Sequence, residues 1–171
     1  IMTKDAFIRE VRDAEAMLYH ISKSILKNDS DCGDAVQETI LKAYEKLPTL
    51  KKEKYFRTWI TRILINECKG ILRKRKNVIP YEEYMDNTRL TEEDRYSHLY
   101  MAIMELPEEL RILVTLYYLE GFSQKEISEA LDIPEGTIKS RLSRARDFLK
   151  AQLSDEEEKR PMPRKNSKLS K

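Results

Sequence analysis

Apolar residues recur at spacings of three and four along most of the chain. Phe7, Val11, Ala14, Leu18, Ile21 and Ile25 form one stripe, which predicts a long helix over about 3–28 with Thr3 as its cap. "NDSD" breaks that pattern. A second helix is predicted over about 31–47, with Val36, Ile40, Ala43, Tyr44 and Leu47 inward and Pro48 as its stop. A third, over about 54–75, places Phe56, Trp59, Ile60, Ile63, Leu64, Cys68, Ile71 and Leu72 on one side. Three such helices can bury a core together. "NVIPYEEYMDNTRLTEED" then loses the periodicity. The pattern resumes near Tyr96, where Leu99, Ala102, Ile103 and Leu106 form a stripe that ends at Pro107. A fifth helix, about 108–119, turns Leu110, Leu113, Val114 and Tyr117 inward, and Gly121 marks its end.

The segment "GFSQKEISEALDIPEGTIKSRLSRARDFLK", residues 121–150, holds two further helices a few residues apart. Ser123 and Glu126 fit a capping box, in which the hydroxyl accepts a free N–H and the carboxylate reaches back. Ile127, Ala130 and Leu131 face inward, and "DIP" makes the turn with Ile133 as its apolar anchor. In the next helix Ile138, Leu142, Ala145 and Leu149 share one arc. Lys139, Ser140, Ser143, Arg144 and Asp147 point the other way, with Arg141 and Arg146 on the flanks. A helix entering a DNA groove needs that distribution: small polar and basic groups at the centre, phosphate-pairing arginines at the edges. An ordinary solvated face gives a similar pattern. The short turn, the capping box and the arginines favour DNA.

Composition agrees with an all-α protein: four Gly, six Pro and 36% charged residues. The expected architecture is two small helical domains joined by a flexible linker, the C-terminal one a helix-turn-helix. The boundaries fall at 3–76, an acidic linker at 77–94, a second domain at 95–153, and a tail at 154–171 too polar to order. No apolar run approaches the roughly 18 residues that span a bilayer. The N-terminus carries no apolar signal core, which predicts a cytoplasmic protein. Cys32 and Cys68 lack a second pair at metal-ligand spacing and read as reduced thiols, and His20 and His98 read as packing or surface residues. No nucleophile motif, phosphate-cradling loop or paired carboxylate stands out. The chain therefore reads as a non-enzyme with no metal, no cofactor and no small-molecule substrate.

The net charge of +2 conceals segregation. Residues 62–76 hold six basic side chains against Glu67 alone, whereas 81–94 hold six acidic ones against Arg89 alone. Two basic patches flanking an acidic stretch point to an anionic partner touched at two places. In the third helix Arg62, Asn66, Lys69 and Arg73 make one stripe opposite the core, extended by Lys74, Arg75 and Lys76. Asn can read a base edge while Lys and Arg hold phosphates. Tyr55, Phe56 and Trp59 stand at its start, where aromatics beside a basic groove suit stacking on unpaired bases. Phe56 and Trp59 also fit the core stripe, so Tyr55 is the freer candidate.

With these motifs in place, "DAVQETILKAYEKL", "YFRTWITRILINECKGILRKRK" and "ELPEELRILVTLYYLEGFSQKEISEALDIPEGTIKSRLSRAR", in that order, resemble an extracytoplasmic-function sigma factor of bacterial RNA polymerase. The resemblance covers roughly residues 3–153 and includes both domains that such factors retain. It implies that Asp34, Gln37 and Glu38 bind the β′ clamp of core RNA polymerase, with the β flap as a second contact. It implies that the third helix melts and reads the −10 element through Tyr55, Arg62, Asn66, Lys69, Arg73 and Lys74. It implies that Lys139, Ser140, Arg141, Ser143, Arg144 and Arg146 meet the −35 element. The linker would thread the RNA exit path. An anti-sigma factor, often membrane-anchored in this family, is implied as a partner, in a stress or envelope response. Two other readings compete with this one. A stand-alone helix-turn-helix regulator leaves the Arg62–Arg73 stripe without work, and a helical adaptor for acidic proteins is disfavoured by any DNA binding that falls steeply with salt.

Overall fold

The computed structural model describes residues 1–76 and 98–159. The expected acidic linker at 77–94 lies outside the described residues, as does the tail from residue 160 on. Among the described residues every regular element is helical: α1 (Lys4–Leu26), α2 (Asp29–Glu45), α3 (Phe56–Lys76), α4 (His98–Glu105), α5 (Glu108–Val114), α6 (Gln124–Leu131) and α7 (Glu135–Lys159). None of them is long and apolar enough to cross a membrane.

Local chemistry sets the first boundaries. The Thr3 hydroxyl accepts from the Ala6 amide at 3.2 Å and starts α1. Lys27 ends it in the left-handed region at φ 62°, donating its N–H to the Lys23 carbonyl at 3.0 Å. Asn28 at once caps α2 by accepting from the Asp31 amide at 3.1 Å. The break at "NDSD" is thus a one-residue reversal, and α2 begins at Asp29, two residues before the periodicity suggests. Helices α1, α2 and α3 pack against one another around Phe7, Leu18, Ile21, Cys32, Phe56, Ile60 and Leu64. Each such side chain withdrawn from water contributes about 1.5–3 kcal/mol. Both cysteines are fully buried free thiols, and burial pushes Cys68 up to about 12, so it stays a protonated core residue.

The second unit is α4 to α7. Helix α5 runs through its C-cap Thr115 into a π-helical segment, Thr115–Leu119, before Gly121 turns the chain at φ 70°. Its residues from Leu110 to Leu116 are all buried, not only the inward stripe. The reason is tertiary: α5 is wedged between α7 on one side and α1 on the other. A stretch covered on both sides has no solvated face to pattern.

Two inward assignments are corrected. Tyr44 is 50% exposed, because it lies at the edge of the α2 stripe and only its ring flank meets Phe7, at 5.5 Å between centroids. Leu99 is 47% exposed at the open end of α4, while Ala102, Ile103 and Leu106 behind it are buried. The ordered region also extends further than expected, since α7 continues to Lys159, six residues beyond 153. Leu153 packs on the cluster of α4, α5 and α7, and Gln152 donates to Glu105 at 3.0 Å, so α4 props up the last turns.

Candidate nucleic-acid interface

The helix-turn-helix is built as its sequence specifies. Ser123 accepts from the Glu126 amide at 3.1 Å, and Glu126 accepts from the Ser123 amide at 2.7 Å, which completes the capping box. Asp132 ends α6 in the left-handed region at φ 56°. Ser128 then closes the turn, its hydroxyl donating to the Ile133 carbonyl at 2.6 Å. Ile127, Ala130, Ile138, Leu142, Ala145 and Leu149 are buried, so α7 is held with one face fixed against the rest. Lys139, Ser140, Ser143 and Arg144 are exposed on the opposite face. The flanking arginines are steered. Arg146 donates to the Tyr118 hydroxyl at 2.9 Å, a bond that favours its charged form. Arg141 is half-buried, 3.9 Å from the exposed carboxylate of Glu109, a pairing worth little in water.

The second basic face lies on α3. Arg62, Asn66, Lys69, Arg73 and Lys74 are all exposed, while Phe56, Ile60, Ile63, Leu64 and Cys68 are buried beneath them. One helix therefore carries a solvated cationic stripe on a rigid apolar base. Thr61 and Ile65 are buried as well, which the core stripe did not include, because α6 packs on α3 from a second side. Tyr55 precedes α3 in a single 3-10 turn, 46% exposed, with the Lys54 ammonium 5.0 Å from its ring centre. Trp59 is half-buried against Phe56, so of the three aromatics Tyr55 is the most available to a base. Arg75 is turned inward, with its guanidinium on Asp31 and on the Leu26 carbonyl. It braces α3 against the α1–α2 junction.

A third surface is on α2. Asp34, Gln37 and Glu38 project from its outer face. Beside them stands Leu41, 62% exposed, with Tyr44 one turn further on. Periodicity did not single out Leu41. Its signal was a large apolar residue on the polar side of the helix. The α2 backbone is fastened below by Lys42, which donates to Glu67 of α3 at 2.5 Å and lies 3.8 Å from Glu38. No group of His, Cys, Asp and Glu among the described residues has the makings of a metal site.

The comparisons with known proteins fit this geometry. Residues 7–78 match the model of Sigma-70 region 2, and residues 98–149 match that of Sigma-70, region 4. The ECF RNA polymerase sigma-E factor of Escherichia coli K12 is 33% identical over 138 residues, covering 70% of this chain and 72% of that protein. The RNA polymerase sigma factor SigV of Bacillus subtilis is 29% identical over 91% of this chain and 95% of its own length. Among solved structures, the sigma factor RpoE of Bartonella quintana, in complex with the anti-sigma factor NepR, superposes with a TM-score of 0.71. It is 26% identical, covering 89% of this chain and 98% of that one. CnrH, solved with the cytosolic domain of CnrY, shares the fold at a TM-score of 0.67 and 21% identity, over 90% of each chain. Two basic helices on two helical domains, in the order and over the length of these relatives, place the protein in its family: the chain belongs to the extracytoplasmic-function sigma factors of bacterial RNA polymerase.

Proposed function

We propose that three faces divide the work of this sigma factor. The outer face of α2, through Asp34, Gln37 and Glu38, binds the β′ clamp of core polymerase. The stripe of Tyr55, Arg62, Asn66, Lys69, Arg73 and Lys74 melts and holds the −10 element. Lys139, Ser140, Ser143 and Arg144 of α7 read the −35 element, with Arg141 and Arg146 on the flanking phosphates. The first domain, 3–76, carries the clamp and −10 faces, and the second, 95–153, carries the −35 face and also docks on the β flap. The observation that carries this reading is the α3 stripe. Four exposed polar or cationic side chains in register on a buried helix suit a phosphate track beside a base-reading Asn. A stand-alone regulator that used α7 alone would leave that stripe idle.

Leu41 and Tyr44 add an apolar centre to the polar α2 face. Protein interfaces commonly join an apolar centre to a polar rim. We assign both to the polymerase contact. The protein works in the cytoplasm, where its polymerase is. By likeness to the relatives solved with anti-sigma factors, it is restrained by such a partner, anchored in the membrane in a stress or envelope response.

Co-elution with purified core polymerase tests the α2 assignment. Leu41→Asp and Gln37→Ala should each leave the circular dichroism unchanged and weaken core binding, Leu41→Asp by at least about tenfold if it sits centrally. Equal binding by both variants would move the polymerase contact elsewhere.

A further inference from the structure

The proposed promoter role of α7 uses its cations as far as Arg146 and leaves others over. Lys139, Arg146 and Lys150 stand seven and four residues apart, which puts them on one flank of the helix. All three are exposed. Arg146 leans on the Tyr118 hydroxyl at 2.9 Å. Neither lysine enters an ion pair among the described residues. Lys150 therefore carries the basic flank one turn past Arg146.

A second group of cations follows in the chain. Residues 160–171, "RPMPRKNSKLSK", hold Arg160, Arg164, Lys165, Lys168 and Lys171 and no acidic residue. These five charges exceed the net +2 of the whole protein, so the remainder of the chain is net acidic. Net charge sets the long-range pull toward a polyanion, and here the segment decides its sign. Lys159 lies nine residues beyond Lys150, about 13–14 Å along the helix axis. The 12 residues after it can reach roughly 40 Å, about 12 base pairs at ~3.4 Å per step.

We propose that Lys150 and the basic segment 160–171 form an accessory DNA-binding surface, which grips the phosphates of duplex flanking the −35 element without reading its sequence. The proposal rests on the reading of α7 as a promoter helix. Four acidic residues in a row, 155–158, separate the two groups. Phosphates repel such a stretch, so the duplex is met by the flank and by the segment beyond it. Duplex DNA fits better than a lipid surface. Met162 and Leu169 are the large apolar residues of the segment, and it has no aromatic one. A peripheral membrane segment needs an apolar face or a lipid chain besides its charges. Phosphate contacts need cations alone and release counterions, with a slope of log K on log salt of about −0.9 per phosphate neutralised.

Fluorescence anisotropy on a random-sequence duplex of about 40 base pairs, from about 50 to 200 mM salt, tests this with the full chain and with a truncation after Lys159. The truncation should bind at least about fivefold more weakly at the low-salt end, with the salt slope smaller by about 2–4. Lys150→Gln should lower the slope by a further ~1. Arg164→Gln, Lys165→Gln and Lys168→Gln together should reproduce most of the loss. A segment of the same residues in shuffled order should restore full binding, since charge and not sequence is what acts. Truncation that leaves affinity and slope unchanged, or that tightens binding, would overturn the proposal. So would a loss confined to phosphatidylserine vesicles, which would make the segment a membrane contact. If the full chain binds no duplex at all, the promoter reading of α7 fails too. If Arg144→Ala weakens binding while truncation does not, that reading stands and the accessory surface alone is lost.

Discussion

Single side chains decide what each surface can do. Arg144 is exposed and unencumbered at the centre of the α7 face. Arg144→Ala should weaken binding to the upstream element by roughly 1–3 kcal/mol if the guanidinium makes a bidentate base contact. Filter binding on matched and scrambled sites separates the cases, since an equal loss on both would mean a phosphate contact. Asn66 stands in the middle of the α3 stripe. Flipping a base costs a few kcal/mol, and if Asn66 helps to offset that cost as proposed, Asn66→Ala should reduce strand opening more than closed-complex binding. Permanganate reactivity of the opened region reports this directly, and an undiminished footprint removes Asn66 from the role. Asp29 offers a check away from DNA. Its carboxylate accepts from Lys23 and from the Tyr19 hydroxyl, both at 2.6 Å. These bonds, the Lys23 one foremost, hold it below the usual carboxylate range, while Tyr19 is pushed up to about 12. A depressed carboxylate stabilises the fold fully above its unfolded pKa and loses that contribution as pH falls through its folded one. Asp29→Asn should therefore lower the urea midpoint slightly at neutral pH and not at all in strong acid. The effect is small because Asp29 is largely exposed.

At the scale of the helix, most of the fold was legible because apolar spacing and caps are local. The stripe of α1, the capping box of α6 and the buried arc of α7 stand as the spacing predicts. Ser123→Ala should cost about 1 kcal/mol by removing the cap, a loss that thermal unfolding would register and that Ser123→Asp should largely spare. Where periodicity failed, the missing information was non-local. Arg111 gave no sign of burial, since its acceptors are carbonyls of α1 and α4, the former 87 residues away in sequence. Thr61 and Ile65 lie off the stripe that periodicity picks out, and α6 packs on α3 from another side. Leu99 and Tyr44 fitted their stripes, but each stands where its helix runs past its neighbours. The exposure of the candidate site residues was more legible than the core, because a solvated face is a list of polar side chains on one helix. Leu41 escaped for the converse reason: an apolar residue on a polar face is easily passed over when the pattern sought is polar.

At the scale of the whole molecule, the parts answer the question that two separate basic helices raise. One helix-turn-helix needs no second cationic stripe on another domain, whereas a factor that selects one promoter element and melts another needs both. Family membership supplies the polymerase, and the α2 face is the place we propose for it to bind. The central claim is tested most directly by run-off transcription on genomic fragments, using purified bacterial core polymerase with and without this protein. Discrete transcripts that appear only when the protein is added are the predicted result, and their start sites would define both promoter elements. Transcription by the core enzyme that is unaltered by the protein, together with a retained gel shift on DNA alone, would contradict the account.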